Sequence, residues 1–193
     1  MIRMGIFGEH LENDAEPLKA LLEKKFQKDS VLFFPINAGN GDQLTLTKAV
    51  EKKVNAEIAN KKLDYIICMR DLDGLPSEIK KIEDRQAWFQ KIKVNKPSLF
   101  FLVIYELEAI ILADIEAFNK KYKVQIAHMG NPLWKENPKE FLREKTTKSQ
   151  RQYNVNHALE IFKDLNFEKV YANHTGPISF KTFVDALDAI INP

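Results

Sequence analysis

The chain has little cysteine and no long apolar run, and each shortage excludes a class of protein. The single cysteine among 193 residues, Cys68, cannot form an internal disulfide and lies in an apolar stretch, so we expect it buried in a protein of the reducing cytoplasm. No apolar run reaches the roughly 18 residues of a membrane-spanning helix, because Glu106 and Glu108 interrupt the longest candidate. The apolar N-terminus is short and soon becomes charged, which predicts neither a signal peptide nor a membrane anchor.

An excess of charge of one sign is also missing. The 29 Lys and Arg side chains against 27 Asp and Glu leave a formal net charge of +2, which is not typical of histone-like proteins. Binding of nucleic acid would therefore depend on where the charges lie. What the chain does contain is 45% hydrophobic residues with thirteen Phe, enough for a core, which excludes a disordered chain.

The apolar runs predict an α/β fold. Each of the first three is followed by a polar loop and a helical pattern, the order typical of βαβ units, and Pro35 in the second predicts an edge strand. The fourth contains no polar residue, which is typical of a strand in the middle of a parallel sheet. We therefore predict a mostly parallel, Rossmann-like sheet flanked by helices. The runs are 2–7, 31–36, 65–69 and 99–105.

The second part of the chain is predicted to be helical. Strand patterns stop after about residue 122, and the final apolar pattern, 179–191, fits one face of a helix. We expect an α/β core over residues 1–121 and a helical extension over 122–193 that packs on it. Near the N-terminus, Asp14 is interpreted as the cap of the first helix and Pro17 as part of its first turn.

Carboxylates follow three of the four predicted strands. Glu9 follows the first, Asp71 and Asp73 close the third, and Glu106 and Glu108 follow the fourth. Ligands of parallel α/β sheets bind at this edge, and two residues separated by one in an extended segment point the same way, about 6 to 7 Å apart. Such carboxylates are typical Mg²⁺ ligands. Each also has an ordinary interpretation, since Asp-x-Asp-Gly is a common turn sequence and Glu is favoured in the first turn of a helix.

These motifs carry a family resemblance. A Glu after the first strand and an Asp-x-Asp after a later one resemble the Toprim domain of topoisomerases, bacterial primases and overcoming-lysogenisation-defect nucleases. More closely, the chain resembles an uncharacterised Toprim-like bacterial family with an Arg-Asp-Leu-Asp motif, a Glu-Leu-Glu-Ala helix, an Asn-Pro-Lys segment and a Ser-Phe-x-x-Phe helix. Here these motifs are 70–73, 106–114, 137–139 and 179–183.

The resemblance implies a Toprim-like fold and metal-dependent phosphodiester hydrolysis of nucleic acid. It implies that Asp71 and Asp73 hold Mg²⁺ or Mn²⁺, that Glu9 is a further ligand or proton carrier, and that Glu108 is the next catalytic candidate. Such relatives are paired with an ABC-type ATPase in phage defence, so that ATPase is the implied partner. The chain itself has no Walker motif.

Two other functions stay open. Toprim families usually show Glu followed by Gly, whereas here Gly8 precedes Glu9, so a catalytically silent Toprim-like module that binds an ATPase or nucleic acid is the competing hypothesis. A response-regulator-like phosphoryl-transfer domain is a weaker one.

A basic segment near residue 150 is the candidate contact with nucleic acid. The acids before it lie four residues apart, which favours a solvated helix with internal ion pairs. The stretch 145–151 contains no acid, and the hypothesis is that Lys145, Lys148 and Arg151 contact a phosphate backbone. Apolar residues in the C-terminal helices would suit a homodimer or another partner surface.

Overall fold

A computed structural model describes residues 1–26, 29–39 and 41–193. Its sheet has four parallel strands in the order β2-β1-β3-β4, which confirms the predicted α/β fold. The edge position of β2, predicted from Pro35, is also confirmed. The strands are β1 (Ile2–Phe7), β2 (Val31–Pro35), β3 (Tyr65–Asp71) and β4 (Ser98–Val103).

Helices cover both faces of the sheet. The face that carries Ile66 and Cys68 packs against α2 and α3, and the face that carries Ile67 and Met69 packs against the other helices. The helices are α1 (Glu16–Leu22), α2 (Thr47–Lys61), α3 (Ile79–Gln90), α4 (Glu108–Ala113), α5 (Ile115–Tyr122), α6 (Pro138–Lys145), α7 (Ala158–Asp164), α8 (Phe167–Asn173) and α9 (Phe180–Ile191). Short helical turns lie at Leu11–Ala15, Gly41–Thr45, Pro132–Trp134 and Val155–His157.

Strand β4 lies at an edge of the sheet, and its predicted position in the middle is wrong. The apolar run has another cause, because side chains cover both faces of this edge strand. Phe100 stacks on Phe89 of α3 with ring centroids 4.7 Å apart, and Phe101 stacks on Phe183 of α9 at 4.3 Å. An edge strand is therefore buried on both faces when a helix packs on each face of the sheet, even though it pairs with only one other strand.

The C-terminal helices share a core with the strands. After β4, the chain that the structure describes is helix and loop, and one apolar cluster joins Met4, Phe101 and Phe118 to Phe162 and Val184. Helix α9 begins after Ser179, whose hydroxyl accepts a hydrogen bond from the Thr182 N–H, which confirms the predicted start of the final helix. None of the described residues belongs to a helix with the length and apolar character that crossing a membrane requires.

Candidate active site

The ends of β1 and β3 and the start of α4 open onto a cavity of about 280 Å³. The structure brings together in its lining all five carboxylates that follow the predicted strands, those of Glu9, Asp71, Asp73, Glu106 and Glu108. Its other polar lining residues include His10, Asn13, Asp14, Lys139 and Tyr153.

Asp71 is the last residue of β3 and points to the same face of the sheet as Ile67 and Met69. Burial raises its pKa well above the ordinary value, and the nearby carboxylates of Asp14 and Glu108 raise it further. Without a cation, this site therefore disfavours the charged form of Asp71.

Asp14 belongs to the same group of carboxylates, although the sequence suggested only a helix cap. It lies inside the turn Leu11–Ala15, ahead of α1, and its Oδ2 accepts a 2.7 Å hydrogen bond from the His10 N–H, so its role as the cap of α1 is wrong. Burial raises its pKa to about 6. A Cβ on Gly8 would lie 2.7 Å from the Asp14 Cβ, so the glycine is what allows this close approach.

Asp73 does not share the direction of Asp71. Its φ of +55° places it in the left-handed region, so the assumption of an extended segment from Asp71 to Asp73 is wrong. The turn leaves the Asp73 side chain 62% exposed, and its Oδ2 lies 2.7 Å from Nη2 of Arg85. Asp73 therefore stands at the rim of the cavity as one half of an ion pair.

Glu9 is also paired with an arginine. Its Oε1 lies 3.3 Å from Nε of Arg70, and its carbonyl oxygen accepts a hydrogen bond from the Gly41 N–H at 3.1 Å. The first contact holds the loop after β1 against the end of β3, and the second ties it to the segment that follows β2. The Glu9 carboxylate thus lies between the acidic cavity and a buried cation.

Glu108 is buried, with 7% of its surface exposed, at the start of α4. Burial raises its pKa, while a 2.7 Å hydrogen bond from the Tyr153 hydroxyl opposes the rise. Nearby, Glu106 pairs with the Lys139 ammonium at 2.7 Å. The sequence interpretation missed Tyr153, whereas Lys139 lay in the Asn-Pro-Lys segment that the resemblance had marked.

The carboxylates fit a hard divalent cation in their chemistry. In the part of the chain that the structure describes, no group of three or more His, Cys, Asp or Glu side chains is arranged to hold a metal ion. Mg²⁺, however, is commonly held by one or two carboxylates and completes its octahedron with water and substrate phosphate. Asp71 and Asp14 offer such oxygens, and their raised pKa values reflect a repulsion and desolvation that a cation would relieve.

The basic segment is only partly available to a ligand. Lys145 and Lys148 are exposed, whereas the Arg151 guanidinium lies 2.8 Å from Glu160 and donates to His157 Nε2 at 3.1 Å. The ion pairs of Lys139 and Arg151 connect this region to other elements. Over the described stretch 135–151, no ion pair joins two of its own charges, so the expected internal pairs are not formed.

A comparison with models of protein families shows which family the chain belongs to. A model described as a domain of unknown function, DUF4276, matches residues 12–188. The chain belongs to the DUF4276 family. This match confirms the expectation of a family without an assigned function, and the relationship of DUF4276 to Toprim stays a prediction. Comparisons with curated proteins and with solved structures found no match. Asp14, Asp71, Asp73 and Glu108 lie within the DUF4276 match, and Glu9 lies just before it.

Proposed function

We propose that this DUF4276 chain is a Mg²⁺- or Mn²⁺-dependent phosphodiester hydrolase of Toprim type that acts on nucleic acid. The observation that carries the proposal is the convergence of Asp14, Asp71 and Glu108, all with raised pKa values, in one cavity at the ligand-binding edge of a parallel sheet. Perturbed carboxyl groups in a cleft are typical of catalytic sites.

The residues divide into metal ligands and proton carriers. Asp71 would hold the metal, with Asp14 beside it and Asp73 joining from the rim once it leaves Arg85. When bound, the metal polarises a phosphoryl oxygen and lowers the pKa of its water. Glu9 accepts a proton at the cavity edge, and Glu108, oriented by the Tyr153 hydroxyl, holds the proton that the leaving oxygen needs.

The catalytically silent module is the second candidate, and a specific contact favours it. Both outer carboxylates of the motif, Glu9 and Asp73, are neutralised by arginines, Arg70 and Arg85. A site in which these pairs never open would bind nucleic acid or a partner protein without cleaving.

A cleavage assay separates the two functions. The purified chain is incubated with DNA and with RNA in Mg²⁺ and in Mn²⁺, alone and with any ATPase encoded beside its gene. We expect cleavage that falls at least about a hundredfold in Asp71→Ala, since loss of a metal-binding carboxylate removes the charge stabilisation of the transition state. Glu168→Ala, an exposed acid on α8, is the control and should cleave as the wild type does. Activity that persists in Asp71→Ala contradicts the site assignment, and no cleavage under any condition favours the silent module.

The partners are part of the same proposal. An ABC-type ATPase is proposed to engage substrate and regulate this chain as the effector of a phage-defence pair in the cytoplasm. Its support is the resemblance, together with the lack of a Walker motif in this sequence. A homodimer stays a prediction.

The nucleic-acid contact is tested on α6 and the loop after it. Replacing the exposed Lys145 and Lys148 by Ala together should weaken oligonucleotide binding and reduce its dependence on salt, because each phosphate contact releases counterions. Fluorescence anisotropy at several salt concentrations measures both quantities. If the variant binds with unchanged affinity and unchanged salt dependence, this segment is not part of the interface.

A further inference from the structure

Arg70 is a buried arginine with unused hydrogen-bonding capacity. Only 7% of its surface is exposed, and its buried Nε lies 3.3 Å from the Glu9 Oε1 without the geometry of a hydrogen bond. Its guanidinium forms an ion pair with Glu9 and a cation–π contact with Trp88. A guanidinium has five N–H donors, and a buried donor without an acceptor costs stability. The ion pair with Glu9 therefore leaves part of the hydrogen-bonding capacity of Arg70 unused.

The aromatic ring beneath Arg70 fixes its orientation. The guanidinium carbon lies 4.2 Å from the Trp88 ring centroid, and the indole N–H donates a 2.8 Å hydrogen bond to the Leu44 carbonyl. One face of the guanidinium is thus occupied, and Glu9 Oε1 approaches Nε at 3.3 Å. The N–H donors of a guanidinium lie in its plane, an arrangement that suits two parallel hydrogen bonds to a tetrahedral oxyanion.

A second arginine lies close by. Arg85 projects from α3, pairs with Asp73 and is one-quarter exposed. Its partner Asp73 and the Arg70 partner Glu9 line the same cavity, so the two arginines flank one site. Two positive charges that flank one site repel each other, and an added anion relieves that repulsion.

We propose that Arg70 and Arg85 bind a phosphate group of the nucleic-acid backbone at the side of the carboxylate cavity. The identity of the ligand rests on the proposed function, whereas the binding of an anion needs no metal and no catalysis. Glu9 both contacts Arg70 and lines the cavity, so a phosphate on Arg70 competes with Glu9 for its guanidinium. Binding of substrate would thereby release the Glu9 carboxylate toward the reacting phosphate.

The test is a binding measurement in EDTA, where no cleavage takes place. A labelled single-stranded oligonucleotide is titrated by fluorescence anisotropy, and inorganic phosphate is titrated by thermal shift, for the wild type, Arg70→Gln and Arg85→Gln. We expect Arg70→Gln to bind the oligonucleotide about tenfold or more weakly and to lose the stabilisation by phosphate. Arg85→Gln should lose part of both.

Arg3→Gln is the matched control. Arg3 also lies over an aromatic ring, 4.5 Å from the Phe34 centroid. It is near the start of β1, however, and so lies at the end of the strands opposite to the cavity. Its replacement should leave both titrations unchanged. Equal losses in Arg3→Gln and Arg70→Gln, or unchanged binding in Arg70→Gln, overturn the proposal.

Two further outcomes are decisive. If circular dichroism shows that Arg70→Gln does not fold, Arg85→Gln decides, and unchanged binding there overturns the proposal. If the protein binds a nucleoside monophosphate more tightly than the oligonucleotide, the ligand of Arg70 is not a backbone phosphate, and this result also overturns the proposal. Arginine-dependent binding in EDTA without any cleavage in Mg²⁺ supports the phosphate site and contradicts the hydrolase, so the two failures are distinguishable.

Discussion

Asp14, Asp71 and Glu108 hold their protons more tightly than ordinary carboxyl groups because the fold takes them partly or wholly out of water. This arrangement costs stability at neutral pH, where the unfolded chain ionises freely and the folded chain does so only against desolvation and repulsion. A fold that keeps such a cost at one cavity is typical of a functional site, where stability is given up for activity.

Asp14→Asn should therefore stabilise the metal-free protein. The pKa of Asp14 rises from the ordinary aspartate value of 3.8 to about 6 in the fold, so the folded state binds the proton more tightly and stability falls as pH rises from about 4 to 6. At pH 7 the variant should gain about 1 to 3 kcal/mol, at about 1.4 kcal/mol for each pKa unit, and the gain should vanish near pH 4. Urea unfolding at pH 4 and pH 7 measures both values. A variant less stable than the wild type at both pH values contradicts the ionisation assignment.

Strand β3 supplies two opposite kinds of site from adjacent residues. Side chains alternate between the faces of a strand, so Arg70 points toward Trp88 of α3 while Asp71 points toward the cavity beside α4. The end of one strand thus provides a buried cation on one face and an acidic group on the other. Glu9, from the loop after the neighbouring strand β1, reaches both.

Helix α9 stabilises the edge strand β4, which lies beside β3. Phe183→Ala removes the ring that stacks on Phe101 and should cost about 3 to 5 kcal/mol, the usual cost of truncating a buried Phe. Phe141→Ala, at a half-buried position on α6 where the ring contacts lysines, should cost clearly less. Thermal or urea unfolding gives both numbers, and equal costs would show that α9 does not cover β4 as described.

Across the whole molecule, local sequence patterns predicted the helices and strands but not which of them lie next to each other. The strand runs and the start of α9 follow from short-range periodicity and capping, whereas the edge position of β4 depends on which strands pair over long sequence separations. The meeting of carboxylates at one edge followed from the topology of parallel sheets. The pairing of Glu9 with Arg70, of Glu108 with Tyr153 and of Asp73 with Arg85 depends on the tertiary fold and on a left-handed turn that spacing alone does not reveal.

The carboxylate cavity is proposed to hold a divalent cation, and thermal unfolding of the wild type and Asp71→Asn with and without Mg²⁺ tests this most directly. In EDTA, Asp71→Asn should unfold at a higher temperature, because the variant lacks a carboxylate that is costly to ionise in the fold. Mg²⁺ should raise the unfolding temperature of the wild type and leave that of the variant unchanged, since a ligand stabilises only the state that binds it. Equal Mg²⁺ shifts in both proteins, or none in the wild type, would contradict the metal site.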